Sequence, residues 1–439
     1  MSEAGMAMDE PARLEVDRLL DDRGTRIIVC CGSGGVGKTT TAAALGLRAA
    51  ERGRRAVVLT IDPARRLAQS MGIDSLDNTP RKVTGVGVGG DEVDGDGRAP
   101  GELHAMMLDM KRTFDEIVEG HTDPERAEAI LANPFYQSLS AGFAGTQEYM
   151  AMEKLGQLRA RDDWDLIVVD TPPSRSALDF LDAPKRLGSF LDGKFIRVLM
   201  APAKVGGRAG MKFLNVGMSL MTGTLSKLMG ASLLKDVQTF VAAMDTMFGG
   251  FRTRADATFR LLQAPGTAFL VVAAPEPDAL REAAYFVERL AAERMPLAGL
   301  VLNRVHGSDA DQLSAERALA AAENLEEGGI VDQESGKAGL RDDDRSTPDT
   351  GLDVGADTTA DVDDHADADD VDEITAGLLR LHAERMQVIA REQRTRDRFT
   401  SLHPEVAVAE VAALPGDVHD LAGLRAIGER LAAGVPAGA

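Results

Sequence analysis

The feature that most constrains this chain is the stretch from residue 25 to residue 47, which reads TRIIVCCGSGGVGKTTTAAALGL. An apolar, β-branched run leads into a glycine-rich turn, and an Ala/Leu-rich segment begins near Lys38. This order predicts a strand, a tight loop and a helix. In that context the spacing G-x-x-x-x-G-K-[ST] is typical of a phosphate-binding loop, or P-loop. The residues that meet it are Gly32, Gly37, Lys38 and Thr39.

The residue types of this loop have a physical reason. Glycines lack a side chain, so consecutive backbone N–H groups can turn inward around phosphate oxygens. The N-terminus of the following helix adds free amides and a positive dipole end. We expect Lys38 to reach the β- and γ-phosphates and the Thr39 hydroxyl to ligate Mg²⁺. The predicted nucleotide-binding residues are Gly34, Gly35, Val36, Gly37, Lys38, Thr39 and Thr40.

The charge of the chain limits its partners. The net charge of the 439 residues is −21 at pH 7, whereas nucleic acids and anionic membranes are bound by basic faces. The segment from Arg341 to Glu373 alone supplies −12 of this charge. The first 20 residues lack the apolar core of a signal peptide. No apolar run reaches the roughly 18 residues of a membrane span, so we expect a cytoplasmic protein that is neither nucleic-acid-binding nor integral to a membrane.

The two cysteines, Cys30 and Cys31, are adjacent at the end of the first predicted strand. Neighbouring strand residues point to opposite faces and rarely form a disulfide. We therefore expect two small buried residues, in keeping with a reducing cytosol.

A second buried strand is predicted from Ala56 to Ile61, because a short continuous apolar run is typical of a parallel strand covered on both faces. It ends at Asp62, at the edge where ligands bind in an open α/β sheet. Two interpretations of Asp62 are open. Its carboxylate orients or deprotonates a water that attacks the γ-phosphate, or it caps a helix whose first residue is Pro63.

A third apolar run, from Asp165 to Asp170, ends in an acidic residue. Following a P-loop at this distance, it is typical of a Walker-B strand. We expect Asp170 to hold Mg²⁺ through water or through Thr39. The next residues, Thr171 to Ser176, would form a loop that senses the γ-phosphate.

Methionine recurs between Leu181 and Phe251 among residues at helical spacing. This pattern predicts a Met-rich helical insert at about residues 185–255. Two interpretations are open: ordinary packing on the sheet, or a surface for apolar partners, which the flexible thioether of methionine suits.

Further buried strands are predicted at residues 267–274, 297–303 and 406–411, and helical periodicity is seen in residues 103–118 and 124–160. Strands that alternate with helices and end in polar residues predict an α/β fold of the P-loop NTPase class. Its sheet would be doubly wound, mostly parallel and flanked by helices. Residues 72–102 are expected to form a flexible surface loop.

The expected domain organisation has five parts. They are an N-terminal tail (1–22), a P-loop ATPase core (23–306), a variable and largely disordered acidic segment (307–373), a C-terminal helix, strand, loop and final helix that complete the core (374–431), and a tail (432–439). Within the acidic segment a short helix is predicted from Ala315 to Leu325, and a charged helix follows from Ile374 to Arg398.

Several motifs in this order resemble the arsenite-pump ATPase (ArsA) family, which includes the ATPases that target tail-anchored membrane proteins. The motifs are GGVGKTT, LTIDPARRLA, VVDTPPSRSALDFLDAP, VLN and ALPGDVHDL. The resemblance covers residues 26–305 and 405–431. The segment GTQEYMAMEKLGQL, residues 145–158, is similar to an actinobacterial branch of the family.

The resemblance implies an ATP hydrolase with ATP and Mg²⁺ as cofactors, acting as a dimer. Asp62 takes the position of the water-activating aspartate, and Asp170 that of the aspartate near Mg²⁺. Glu276 and Asn303 match positions that contact the nucleotide, with Asn303 at the adenine. Pro415 lies in a segment that resembles the loop on the adenine side. The Met-rich insert falls where targeting ATPases bind a hydrophobic client helix.

The chain also departs from the family pattern. The signature lysine, which crosses the dimer interface to the partner's phosphates, is replaced by Ser33. The histidine of the second switch loop is absent, and Arg175 is a new cation nearby. There is neither a zinc-binding C-x-x-C nor an arsenite-binding cysteine cluster. These departures favour a hetero-dimer with a paralogue that retains the lysine and argue against arsenite transport. The alternatives are a nucleotide-binding switch or scaffold with little hydrolysis, and a chaperone-like module that binds apolar helices.

Overall fold

The computed structural model describes residues 12–61, 66–73, 75–86, 101–134, 136–137, 147–172, 253–335 and 364–433. Asp62, Arg175 and the Met-rich insert up to residue 252 lie outside the described residues. The chain divides into two compact units. The first contains Met1–Arg304 and Arg398–Val435, and the second contains Val305–Asp397 and Pro436–Ala439.

Eight strands form one sheet in the first unit. They are β1 Ile27–Cys31, β2 Arg55–Thr60, β3 Arg81–Lys82, β4 Glu102–Met107, β5 Leu166–Asp170, β6 Thr267–Ala273, β7 Leu297–Val305 and β8 Val408–Ala412. Their order across the sheet is β3-β4-β2-β5-β1-β6-β7-β8. The described helices are α1 Val16–Asp21, α2 Lys38–Glu51, α3 Arg66–Ser70, α4 Met110–His121, α5 Pro124–Leu131, α6 Gln147–Arg161, α7 Pro277–Ala292, α8 Ala315–Ser335, α9 Asp364–Leu402 and α10 Leu421–Ala433.

The centre of the sheet is parallel. Strand β1 lies between β5 and β6, while β2 pairs with β5 on one side and β4 on the other. Every residue of β1, β5 and β6 is buried, which explains why these strands are continuous apolar runs rather than alternating ones. The predicted α/β fold with a mostly parallel sheet flanked by helices is confirmed. Both cysteines end β1, buried and unbridged as expected.

The prediction for the segment before the helix that begins at Met110 is wrong. Residues 102–107, assigned partly to a flexible loop and partly to a helix, form strand β4, parallel to β2 from Arg55 opposite Glu102 to Thr60 opposite Met107. The apolar spacing of this segment also fits a helix face. Pairing with β2 overrides it, because local preference is weak compared with burial and strand pairing. The helix starts later, at Met110, after Asp109, whose side chain accepts a hydrogen bond from the Arg112 backbone N–H.

The N-terminal and C-terminal segments pack onto the P-loop helix. Helix α1, expected in a tail, buries Val16 and Leu20 in the core. Helix α10 buries its own apolar face in the same cluster as the alanines of α2. A hydrogen-bonded ion pair from Arg425 Nε to Glu51 Oε1, 2.5 Å long, joins α10 to the end of α2.

A buried arginine connects three segments of the backbone at the end of the sheet where β2 begins. Arg54 is 1% exposed. Its guanidinium donates hydrogen bonds to the backbone oxygens of Leu20 (2.8 Å), Thr25 (2.5 Å) and Asp165 (2.6 Å). Burial lowers the pKa of Arg54 to about 10. The three carbonyl oxygens accept hydrogen bonds from Nη1 and Nη2, whereas the buried Nε has no hydrogen-bond partner among the described residues.

Helix α6 contains most of the GTQEYMAMEKLGQL segment, and its charged residues are structural. Lys154 Nζ lies 2.9 Å from Glu116 Oε2 of α4, and Arg254 Nε lies 2.8 Å from Glu153 Oε1. Both Glu153 and Lys154 are buried. Because each buried charge on α6 has an opposite charge beside it, these residues orient the helix against its neighbours.

The second unit contains two long helices. Helix α8 runs from Ala315 to Ser335, ten residues beyond the predicted end at Leu325. Helix α9 has 39 residues and begins at Asp364, within the segment that was expected to be disordered. In the part of the chain that the structure describes, no helix combines the length and the apolar character that crossing a membrane requires.

Candidate nucleotide-binding site

The loop at residues 32–37 follows β1 and is shaped by glycines that no other residue can replace without strain. Gly32 has φ +150° and Gly37 has φ +94°. A Cβ on Gly32 would overlap the carbonyl oxygen of Val272 in the neighbouring strand, and one on Gly37 would overlap the Asn303 amide nitrogen. Gly37 is also the N-cap of α2, so the backbone turns directly into the helix N-terminus.

The side chain of Asn303 supports the backbone of this loop. Its side chain is buried near the end of β7, and Nδ2 donates a hydrogen bond of 2.8 Å to the carbonyl oxygen of Val36. The sequence predicted a contact with adenine for this residue. The structure places its amide against the backbone of the loop instead, and a contact with adenine stays a prediction.

Lys38, the first residue of α2, folds back along the loop. Its side chain is buried, and Nζ donates a hydrogen bond of 2.7 Å to the carbonyl oxygen of Ser33. The ammonium group therefore spans the loop from its C-terminal to its N-terminal end. This conformation holds a positive charge over the amides that would surround phosphate oxygens.

Thr39 and Asp170, the two residues predicted to hold Mg²⁺, lie in contact beside the loop. The binding of Mg²⁺ there stays a prediction. Thr39 Oγ1 donates a hydrogen bond of 2.7 Å to Asp170 Oδ2. Asp170 is fully buried at the end of β5, where strand register sets it opposite Cys30 on one side and Thr60 on the other. A hydroxyl and a carboxylate at this separation are hard oxygen ligands of the kind that Mg²⁺ prefers.

Thr60 is a member of this group that the sequence analysis missed. Its Oγ1 donates a second hydrogen bond, 2.9 Å long, to Asp170 Oδ2. The available signal was its place as the last residue of the strand that follows the P-loop strand in the sequence, although β5 lies between the two strands in the sheet. Burial, followed by the nearby Asp170 charge, raises the pKa of the Cys30 thiol well above its usual range, so this cysteine stays protonated beside the carboxylate.

The predicted catalytic residue Asp62 lies outside the described residues, but the backbone leading to it is well placed. The N–H of Ile61 donates a hydrogen bond of 3.0 Å to the carbonyl oxygen of Asp170. The chain therefore leaves β2 directly beside the Asp170 backbone.

A pocket of about 230 Å³ opens on one side of the loop. The loop forms one wall with Ser33 and Gly35, and the charged residues of the other walls are Glu276, Asp278, Glu282 and Arg304. The described residues therefore contribute three carboxylates and one guanidinium to the lining of this pocket. Glu276 is the N-cap of α7, and its side chain makes no capping hydrogen bond.

Arg304 adopts an unusual backbone conformation, with φ +65°. A non-glycine residue in this left-handed region costs roughly 1–2 kcal/mol. Such strain often occurs at functional positions.

Pro415, which the sequence predicted near the nucleotide, is exposed in the loop after β8. Leu414 and Val418 of the same loop pack against the core.

Comparison with known proteins decides the family. The model of the anion-transporting ATPase (ArsA) family matches residues 25–327. The chain belongs to this family. The predicted resemblance is confirmed, and so is the prediction that the chain is an ATP hydrolase of the ArsA class.

Known ATPases are similar to this chain over between two fifths and seven tenths of its length. The ATPase GET3 of Podospora anserina is 25% identical over 320 residues, which cover 71% of this chain and 84% of the relative. The ATPase GET3 of Malassezia globosa is 28% identical over 180 residues, covering 41% and 49%. An arsenical pump-driving ATPase of Halobacterium salinarum is 30% identical over 183 residues, covering 42% of this chain and 27% of that protein.

Proposed function

We propose that this ArsA-family ATPase is Mg²⁺-dependent and couples ATP binding and hydrolysis to a conformational change in a dimer. The observation that carries the proposal is the group formed by Thr39 and Asp170, 2.7 Å apart beside a loop in which neither Gly32 nor Gly37 has room for a side chain. A loop of this shape fits phosphate oxygens. The oxygen atoms of the pair fit the coordination that Mg²⁺ requires.

In this proposal, positioning and charge stabilisation do most of the chemistry. The loop amides and the Lys38 ammonium hold the β- and γ-phosphates of ATP. Asp62 orients the attacking water, in line with its position in the family motif. Mg²⁺, held by Thr39 and through water by Asp170, would neutralise the charge that develops on the phosphate oxygens. Thr60 keeps the Asp170 carboxylate in place, and Asn303 keeps the loop in shape.

Single-turnover hydrolysis tests this assignment. We expect Asp62→Asn to lower the rate constant by about 100-fold or more, as loss of a general base does, while ATP binding stays within about threefold. Thr60→Val serves as a matched variant, because it removes one hydrogen bond to Asp170 without removing an expected ligand. Equal hydrolysis by wild type and Asp62→Asn would contradict the role of Asp62.

The identity of the partner follows from Ser33, which stands where the family has a lysine that acts across the dimer. We propose a hetero-dimer in which a paralogue that retains this lysine supplies it to the site. The pocket beside Ser33 supports the proposal, because its carboxylates outnumber the nearby cations. Asp278 pairs with Arg281 and Arg304 also lines the pocket, which leaves an excess of negative charge from Glu276 and Glu282 that attracts a further cation.

Adding the paralogue to the purified chain tests the hetero-dimer. We expect slow turnover alone and at least tenfold faster turnover in the mixture, with no gain when the lysine of the paralogue is replaced by alanine. If the chain alone hydrolyses ATP rapidly and the paralogue adds nothing, the hetero-dimer is wrong. If neither preparation turns over but both bind ATP, the chain is the binding switch or scaffold that the loss of the lysine also allows.

Handling of a hydrophobic client is a separate proposal. It rests on the Met-rich insert and on the resemblance to targeting ATPases. A photo-crosslinker at Met218 or Met244 should capture an apolar helical peptide in the presence of ATP. A polar peptide of equal length is the control, and equal labelling of both peptides would remove the client from the proposal.

A further inference from the structure

Helix α9 has two apolar stripes on different sides. The first consists of residues that are buried or half-buried: Ala376, Leu379, Ala383, Met386 and Ile389. The second is exposed, with the exposed fractions Val371 58%, Ile374 63%, Leu378 61%, Leu381 63% and Val388 39%. The first stripe is accounted for by packing. The second, the exposed stripe, is an apolar surface, interrupted at Arg385, of the kind that marks an interaction site.

The exposed stripe has the spacing of a coiled-coil seam. Its residues recur at intervals of three and four, which corresponds to the a and d positions of a heptad repeat. Position 385 completes the repeat between Leu381 and Val388. From residue 371 to residue 388 the seam is about 26 Å long, at 1.5 Å per residue. A long helical partner fits this surface better than a globular one.

The stripe is complementary to itself when the direction is reversed. In an antiparallel pair, Val371 of one helix meets Val388 of the other, Leu378 meets Leu381, and Ile374 meets Arg385. Each a position is then opposite a d position. A two-fold axis between Leu379 and Arg380 generates all of these pairs, as an isologous dimer interface requires.

Charge selects the same direction. Asp370, Asp372 and Glu373 are exposed at one end of the stripe, and residues 370–379 contain no lysine or arginine. The other end has the exposed Arg391 and Arg394. Parallel pairing would bring the acidic ends of the two helices together. Antiparallel pairing instead sets the acidic end of each helix near the arginine-rich end of its partner.

Arg385 supplies the one polar position of the seam. Its Nε donates a hydrogen bond of 2.7 Å to the carbonyl oxygen of Gly307, which fixes the side chain within its own unit. Single polar residues at seam positions specify register at some cost in stability. In the antiparallel pair, the alkyl part of Arg385 packs on the partner's Ile374.

We propose that the exposed stripe of α9 binds a second copy of this chain as an antiparallel helix pair. The interface is separate from the nucleotide site. It does not depend on ATP and does not rest on the function proposed above.

Cysteine crosslinking in the full-length chain tests the pairing and its direction. The two native cysteines are buried, so single variants Val371→Cys and Val388→Cys are the reactive sites. With a short bis-maleimide and no nucleotide, we expect most of the product from a mixture of the two variants to be the 371–388 crosslinked dimer. Neither variant alone should crosslink, because like positions lie about 26 Å apart in the antiparallel pair.

Two results would overturn the proposal. Crosslinking of Val371→Cys to itself would show a parallel pair. Absence of any intermolecular product would show that the stripe is covered by a segment of the same chain or by a different protein.

Light scattering provides a second measurement. Replacement of both Leu378 and Leu381 by lysine should halve the mass measured without nucleotide, with the helix content unchanged by circular dichroism. Gln393→Lys, which adds a charge to α9 away from the seam, is the control and should leave the mass unchanged. An unchanged mass in the double variant would contradict the proposal.

Discussion

Arg304 combines a strained backbone with a position in the wall of the pocket beside the P-loop. Its φ of +65° suits glycine better than arginine. Among the described charged side chains that line this pocket, its guanidinium is the cation, beside the carboxylates of Glu276, Asp278 and Glu282. The strain and the charge can be separated by mutation.

Arg304→Gly should leave the protein as stable as before or more stable by about 1 kcal/mol, because glycine relieves the left-handed conformation. ATP affinity should fall by about threefold or more, because the pocket wall beside the loop then keeps its carboxylates but loses the positive charge of Arg304. Arg304→Lys keeps both charge and strain, so it should keep the affinity. Urea unfolding and nucleotide titration measure the two effects, and equal loss of affinity in both variants would exclude charge as the cause.

Individual residues also show how much of the candidate site the sequence motifs can predict. Lys38, Thr39 and Asp170 lie where the P-loop and Walker-B patterns predicted, because both patterns encode local geometry next to a strand end. Thr60 and the loop-bracing role of Asn303 were not predictable from those patterns. Each depends on which strands become neighbours, and that is decided by packing of the whole sheet.

At the scale of elements, the contact between α1 and α2 is electrostatic as well as apolar. Arg48 Nη2 donates a hydrogen bond of 2.7 Å to Asp17 Oδ2, and its Nε donates a second one to Oδ1. Hydrogen bonding from Arg48 holds the pKa of Asp17 below its ordinary value of 3.8. A carboxyl group whose pKa is lowered by folding stabilises the folded state above its unfolded pKa and loses this contribution as the pH falls.

Asp17→Asn should therefore destabilise the protein at pH 7 and have a smaller effect near pH 3. The difference in unfolding free energy between wild type and variant, measured by urea titration at both values, should shrink as the pH falls. Asp163→Asn, a change at an exposed residue, controls for loss of one negative charge. A difference that is constant with pH would show that the ion pair between Asp17 and Arg48 does not contribute.

Elements differ in how well the sequence predicts them. The predicted strands around β1 were found because continuous apolar runs of this length have few alternatives. Strand β4 was missed because the spacing of Leu103, Met106 and Met107 also fits a helix. The segment becomes a strand rather than a helix because it pairs with the side of β2 that β5 leaves open. No local sequence pattern indicates this pairing. The extent of α9 was underestimated because its acidic first turns resemble a disordered tract.

At the scale of the whole molecule, the two ends of the chain meet on the P-loop helix. Ile427 of α10 is buried in the same cluster as Ala43 and Leu47 of α2. Val408 of β8 accepts a hydrogen bond from the Leu14 N–H and donates one to the carbonyl oxygen of Ala12. The core around the nucleotide loop therefore includes residues from opposite ends of the described chain.

Ile427→Ala should cost about 2–5 kcal/mol of unfolding free energy, the usual range for loss of a buried isoleucine side chain. Glu429→Ala, two residues away at an exposed position, should stay within about 0.5 kcal/mol of wild type. Both are measured by urea unfolding. Similar values for the two variants would show that α10 does not contribute to the core.

The ion pair between Glu51 and Arg425 joins residues that are 374 positions apart. At the usual rate of about 5–20 residues per second, a ribosome needs roughly 20–75 s to synthesise the chain between them. Throughout this interval the P-loop helix is made but its apolar face has no α10 to cover it. The newly made nucleotide loop thus spends most of translation next to a core that α10 has not yet closed.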